Sequence, residues 1–418
     1  MRKVLIVGAG QSGLNLAHGL LDHGYDVTVI TSQTSEEIRN GRPAITQLTY
    51  PTVLEYERAL HLDFWASQAP QVGRAKLHIH PVSGPASHKI AGNFANGGYA
   101  VSVDRRVKMA DWLEYFEDRG GKVVIHGVTL SDLDYFSRMF DLVIVAVGFG
   151  ELGALFEPDP DRFSGARPRE LAQATVYNVA DDPGEPESIG WIGTSAEVGN
   201  VCLFPVLTSH GPCHSLFVAN KRDGAKGNWS DQPGPAEQWR RMKDLLQRSM
   251  PEYYERVRDA ELIDGKSTLI QELTPQIRKP VATLPSGGRV LGIADVVITS
   301  DPFAMQGWNN STQCAKSYLE SIVERGDRPF DDEFLKDMFE RFWLYGHDAE
   351  LWSEAVSSFW EVTPPAHFQE VHEAATVYPE VADRWIQGWD NPPSFRDWLY
   401  DPEGARKFLD EVKAIHNS

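Results

Sequence analysis

The sequence predicts an α/β protein with a discontinuous Rossmann-like dinucleotide-binding domain, an inserted mainly antiparallel β-sheet domain and a helical C-terminal region. Three observations lead there. The chain opens on an aliphatic strand, Lys3–Val7, that runs straight into Gly8-Ala9-Gly10-Gln11-Ser12-Gly13. Buried-strand signals of the same kind return at Asp141–Val147 and at Arg289–Leu291, with short strands punctuated by Pro and Gly between them. After Pro329 the chain becomes acidic, helical in its spacing and rich in tryptophan.

The first element carries the most chemistry. Gly8 to Gly13 is a G-x-G-x-x-G turn between a strand and a helix marked by Leu14, Ala17 and Leu21, which Gly24 stops. Gly8 permits the tight turn, Gly10 lets the backbone approach a pyrophosphate, and Gly13 lets the helix pack close to the sheet, so that free N–H groups face the phosphates. Gly8, Gly10, Gln11, Ser12 and Gly13 are therefore candidate binding residues. The next strand, Asp26–Ile30, ends in Thr31-Ser32-Gln33 and lacks the carboxylate that usually grips the ribose. The adenosine end is expected to be held more weakly, or by other groups.

Further along, Val103-Asp104-Arg105-Arg106 leads into a helix through Trp112, Leu113 and Phe116. A second G-x-G-x-x-G starts at Gly148, but Pro158 and Pro160 follow too soon for a crossover helix, so Gly148 is expected in a turn beside the same dinucleotide. The expected division is residues 1–60, 100–155 and 285–330 for the dinucleotide domain, 61–99 and 156–284 for the β-sheet substrate domain, and 331–418 for the helical region. The tryptophan-rich tail is expected to cover the inserted sheet or to form a subunit contact in a homodimer.

With 418 residues the chain can bury a substantial core, and its formal net charge of −19 disfavours nucleic acid and anionic membrane surfaces as partners. The apolar runs are strand-sized and the N-terminus enters the first strand directly, which predicts a cytoplasmic protein without signal peptide or membrane span. Cys202, Cys213 and Cys314 have no metal or redox spacing and read as reduced packing residues. No metal site is expected: His78 and His80 share a strand face but have no third ligand nearby in sequence.

The third block holds Gly292-Ile293-Ala294-Asp295, then Asp301-Pro302-Phe303-Ala304-Met305-Gln306-Gly307-Trp308-Asn309, then a helix through Ala315, Tyr318, Leu319 and Ile322. This resembles the segment of the flavoprotein monooxygenases of the hydroxylase fold in which an Asp bonds the ribityl chain and a helix start faces the flavin. A helix start supplies free N–H groups and positive potential, which suit an anionic reduced flavin. On the residues alone, Asp301 could merely cap the helix that Pro302 begins. Most of the chain, from the N-terminal turn through Arg42–Gln47, Leu203-Phe204-Pro205 and Gly292–Leu319, is most similar to the oxygenase component of two-component styrene and indole monooxygenases. Met305 departs from the family pattern, which has a glycine there, and so does Pro43 beside Arg42.

The resemblance implies FAD as cofactor, supplied in reduced form by a separate NAD(P)H-dependent flavin reductase. Reduced FAD and O2 would form a flavin hydroperoxide that transfers one oxygen to a small aromatic or vinyl-aromatic substrate, as in epoxidation of indole or styrene. It places Arg42, Arg106, Gly148, Asp295, Pro302, Gly307 and Asn309 with the glycine-turn residues on the cofactor, and Gly307, Trp308 and Asn309 at the reacting end. Gln47, Leu203, Phe204, Pro205, Leu207 and Met305 are expected to line the substrate pocket. Two other readings stay open: a single-component NAD(P)H-dependent aromatic hydroxylase, and a non-catalytic flavin-binding or sensor protein.

Overall fold

A computed structural model describes residues 2–80, 88–148, 151–162, 168–185, 188–221, 229–358 and 363–417. Its first sheet has six strands in the order Val281–Thr283, Arg289–Gly292, Leu142–Val145, Lys3–Val7, Asp26–Thr31 and Lys122–Ile125. All pairings are parallel except that of Val281–Thr283 with Arg289–Gly292. The N-terminal strand is thus central, and Val4, Leu5 and Ile6 are fully buried, as a strand covered on both faces requires. Helix Gln11–Asp22 follows it and packs so closely on helix Gly307–Arg325 that a Cβ at Gly19 would strike Leu319.

The second sheet has eight strands. Its main path runs Glu261–Leu262, Arg169–Tyr177, Gly211–Lys221, Gly199–Thr208, Ile189–Ser195, Arg74–Ile79 and His88–Asn93, and Thr268–Leu273 pairs with Arg169–Tyr177 as well. Only Arg74–Ile79 with Ile189–Ser195 is parallel. Every residue of Gly199–Thr208 is buried because both faces are covered. Leu203 packs beneath helices Pro235–Ser249 and Pro251–Val257, while Phe204 packs against the C-terminal helices. Each such side chain contributes roughly 1.5–3 kcal/mol by leaving water.

The tail covers the sheet. Trp352, Trp385, Trp389 and Trp398 are buried in one cluster with Leu77, Ile192, Phe204 and Met305. Trp352 meets Trp385 edge to face with ring centroids 4.6 Å apart, a favoured arrangement of aromatic quadrupoles. The three cysteines are free and buried. Among the described residues, no helix is long and apolar enough to cross a membrane.

Candidate cofactor and substrate site

A cavity of about 1250 Å³ runs between the glycine turn, the start of helix Gly307–Arg325 and the edge of the second sheet. It exceeds the roughly 300–1,000 Å³ usual for one small-molecule site. Gly8 forms the turn with φ +120°, and a Cβ there would collide with the Ala146 carbonyl oxygen. A Cβ at Gly13 would collide with the Gly8 carbonyl oxygen, so Gly13 serves close packing and does not line the cavity. Helix Gln11–Asp22 begins at Gly10 with no side-chain cap and no acidic residue in its first turn. Its N–H groups are left for an anion.

The opposite wall is built the same way. Helix Gly307–Arg325 also starts without a side-chain cap or an acidic residue in its first turn, and Gly307 and Trp308 line the cavity. The Trp308 backbone N–H donates to Gln47 Oε1 at 3.0 Å, and its indole Nε1 donates to Thr49 Oγ1 at 3.1 Å. Just upstream, Asp301 accepts from Arg169 Nε at 2.8 Å and Nη2 at 2.6 Å, and from the Phe303 N–H at 3.2 Å. Asp301 therefore caps the short turn Pro302–Ala304. Met305 stands at φ +53°, a left-handed conformation that favours glycine, which accounts for the glycine in the resembling family at this point.

Asp295 reaches the cavity between these two walls. Burial pushes its carboxyl up to about 6, against the downward pull of the Arg105 guanidinium. A Cβ at Gly10 would stand 3.5 Å from Arg105 Nη2, so this cation lies beside Gly10. Sequence reasoning chose the neighbouring Arg106. That residue does line the cavity, but its guanidinium is engaged by Asp104 at 2.7 Å and by the Lys266 carbonyl oxygen at 3.3 Å. The signal that was available is the pair of consecutive arginines; the ion pair with Asp104 is what sets Arg106 apart.

Arg42, Gly148, Pro302, Gln47, Gln11 and Ser12 also line the cavity. Phe149 and Gly150 of the second glycine motif lie outside the described residues. Asn309 is not in the cavity wall: its Oδ1 accepts from the Tyr50 N–H and its Nδ2 donates to the Leu48 carbonyl oxygen, both at 2.9 Å. The expected substrate wall also needs correcting. Leu203, Phe204, Pro205, Leu207 and Met305 are all absent from the lining. Leu203 faces the helices on the far side of the sheet, Leu207 packs in the core of the first sheet, and Phe204 and Met305 are packed under the tail. The second sheet contributes Leu171, Gln271 and Leu273 to the cavity instead, together with Ile45 and Ala44 from the loop after Arg42.

At the far end, the strand end Ile30–Gln33 and the segment His126–Leu130 line the cavity without a carboxylate. His78, weighed above as a metal ligand, is buried against Trp191 and Tyr253 and pairs with Glu252 at 3.1 Å. Among the described residues no group of three His, Cys, Asp or Glu is placed to hold a metal ion.

A dinucleotide turn on a parallel sheet, a second helix start across the cavity and a roofing antiparallel sheet define the fold common to FAD-dependent halogenases and monooxygenases. The fold is shared by the flavin-dependent brominase Bmp2, with TM-score 0.64 and 15% identity over 97% of this chain and 99% of that one. It is shared too by p-nitrophenol 4-monooxygenase PnpA from Pseudomonas putida DLL-E4, with TM-score 0.65 and 14% identity over 94% of this chain and all of the other. Residues 148–256 match the family model described as "Styrene monooxygenase A putative substrate binding domain". Styrene monooxygenase StyA of Pseudomonas fluorescens is 26% identical over 413 residues, 96% of each chain, and that of a second Pseudomonas is 26% identical over 417 residues. Over nearly its whole length the chain is thus similar to styrene monooxygenases, a likeness that supports a flavin-dependent monooxygenase. The open helix start at Gly10, Arg105 and the partly buried Asp295 fit a dinucleotide such as FAD, whose phosphates would lie at the first helix and Arg105, its ribityl hydroxyls at Asp295 and its ring near Gly307 and Trp308.

Proposed function

We propose that the chain is the oxygenase component of a two-component system, accepting FAD already reduced by an NAD(P)H-dependent reductase and epoxidising an aromatic or vinyl-aromatic substrate such as indole or styrene. The observation that carries this is the asymmetry of the cavity. Its pyrophosphate end has an open helix start and a cation, whereas the end of the strand Asp26–Thr31 brings Thr31, Ser32 and Gln33 and no carboxylate, Glu151 lining the cavity from another segment. Such a site suits a dinucleotide that arrives and leaves with each turnover. The end-to-end similarity to styrene monooxygenase StyA supports the substrate class.

Reduced FAD, when bound, supplies the electrons that activate dioxygen, one atom of which goes to the substrate and the other to water. The chain's residues do the rest. The Gln11–Asp22 helix start and Arg105 hold the phosphates, and Asp295, close to half protonated near pH 6, can donate to or accept from a hydroxyl. Leu171, Leu273, Ile45 and Trp308 exclude water and orient an apolar π system against the ring. We infer that these residues, with the second sheet behind them, form the substrate wall.

The test mixes the purified chain with NADH, FAD, oxygen and indole or styrene, with and without a flavin reductase, and measures NADH loss and oxygenated product. Product only with reductase is expected. Rapid NADH oxidation by the chain alone would identify a single-component hydroxylase, and no product with chemically reduced FAD would identify a flavin-binding protein without oxygenase activity.

A further inference from the structure

Behind the cavity wall lies an ion pair that the oxygenation chemistry does not use. Glu57 in helix Pro51–Ala59 and Lys108 in helix Arg105–Asp118 are 1% and 2% exposed, and the ammonium stands 2.8 Å from both carboxylate oxygens. The pair touches both walls of the site. On the phosphate side, Gln11 Nε2 donates to Glu57 Oε1 at 2.7 Å and to Thr312 Oγ1 at 2.9 Å. Gln11 Oε1 is buried without a hydrogen-bond partner among the described residues, so Glu57 and Thr312 set that amide's direction. On the ring side, Lys108 Nζ lies 4.9 Å from the Trp308 ring centroid and 4.7 Å from that of Trp112. It also donates to Thr49 Oγ1 at 3.3 Å, the oxygen that accepts the Trp308 indole N–H.

A buried ion pair is a weak stabiliser, since replacing both partners by apolar side chains is often neutral or favourable. What it does supply is a fixed geometry in a low-dielectric interior. We propose that Glu57 and Lys108 are a positioning pair that couples the two halves of the dinucleotide site. A diphosphate at the glycine turn fixes Gln11, through Gln11 the ion pair, and through the ion pair the indole of Trp308, so that the ring end is ordered before the ring arrives. The inference rests on the flavin reading of the cavity.

The experiment titrates the full chain with ADP and with riboflavin, each alone and each in the presence of the other, by calorimetry. The unmodified chain should show each ligand tightening the other by the same factor, about fivefold or more, as linkage requires. In the double variant Glu57→Leu/Lys108→Met both ligands should still bind singly, with the mutual effect reduced to less than about twofold. Thr49→Val, which spares the ion pair but cuts its hydroxyl link to Trp308, should lose the mutual effect too, and it carries the test if the double variant does not fold. Independent binding of ADP and riboflavin to the unmodified chain, or full coupling in both variants, overturns the proposal. Failure of either ligand to bind the unmodified chain would instead overturn the flavin reading itself.

Discussion

Replacing Arg105 by methionine tests the cofactor geometry most directly. Arg105 lines the cavity, its Nη2 lies against the space that Gly10 leaves open, and Asp295 faces it. Methionine keeps much of the stem and removes the charge. A hydrogen bond to a charged group contributes about 1.5–3 kcal/mol. At about 1.4 kcal/mol per tenfold, FAD should bind roughly ten- to a hundredfold more weakly. The fold should survive, because Asp295 already sits at about 6 and, without its cation, shifts further toward the neutral acid rather than remaining as an unpaired charge. Calorimetric titration with FAD, ADP and riboflavin separates the two ends of the ligand. FAD and ADP should weaken in parallel while riboflavin stays within about twofold. Equal losses for riboflavin and ADP, or an unchanged FAD affinity, would refute the assignment of Arg105 to the phosphates.

Other outcomes follow from the same site. The Asp295 carboxyl is raised from 3.8 to about 6, so its contribution to stability is fully present below 3.8 and is lost as pH rises through about 6. Urea melts should therefore show Asp295→Asn gaining on the unmodified chain between about pH 4 and pH 7, by at most about 3 kcal/mol; identical pH profiles would place Asp295 in solvent. Leu273→Trp narrows the cavity at the second sheet, so product ratios for indole against larger aromatics should shift toward the smaller substrate, and an unchanged ratio would take Leu273 out of the wall. Gly13→Ala puts a methyl group into the Gly8 carbonyl oxygen and should abolish FAD-induced thermal stabilisation while lowering the melting temperature. Normal FAD stabilisation in that variant would show that the turn tolerates a displaced helix.

The parts legible in the sequence are those where one periodicity or one residue type admits a single geometry. Lys3–Val7 followed by three glycines in register can only be a buried strand entering a helix start. Arg105 and Arg106 illustrate the opposite case. Both open a helix and both line the cavity; what separates them is that Asp104 engages the Arg106 guanidinium, a contact that composition does not record. The run Leu203-Phe204-Pro205 is similarly silent, because a strand buried on both faces has no polar alternation to show which side chains point where. Leu171, Gln271 and Leu273 carry no motif at all; they reach the cavity because Thr268–Leu273 pairs with Arg169–Tyr177. Gln11, Glu57, Lys108 and Thr312 meet across up to 301 residues of chain, a distance at which spacing holds no information.

The position of Arg289–Gly292 next to Leu142–Val145 also dictates a timetable. On the ribosome the first four parallel strands emerge by residue 145, yet their open flank and the second wall of the cavity are written almost 150 residues later. The intervening chain supplies six of the eight strands of the second sheet, and the nascent edge waits for its neighbour until they have been made. The first sheet is thus begun first and finished late, and a chain truncated before residue 307 would keep the glycine turn but lack the second wall of the cavity.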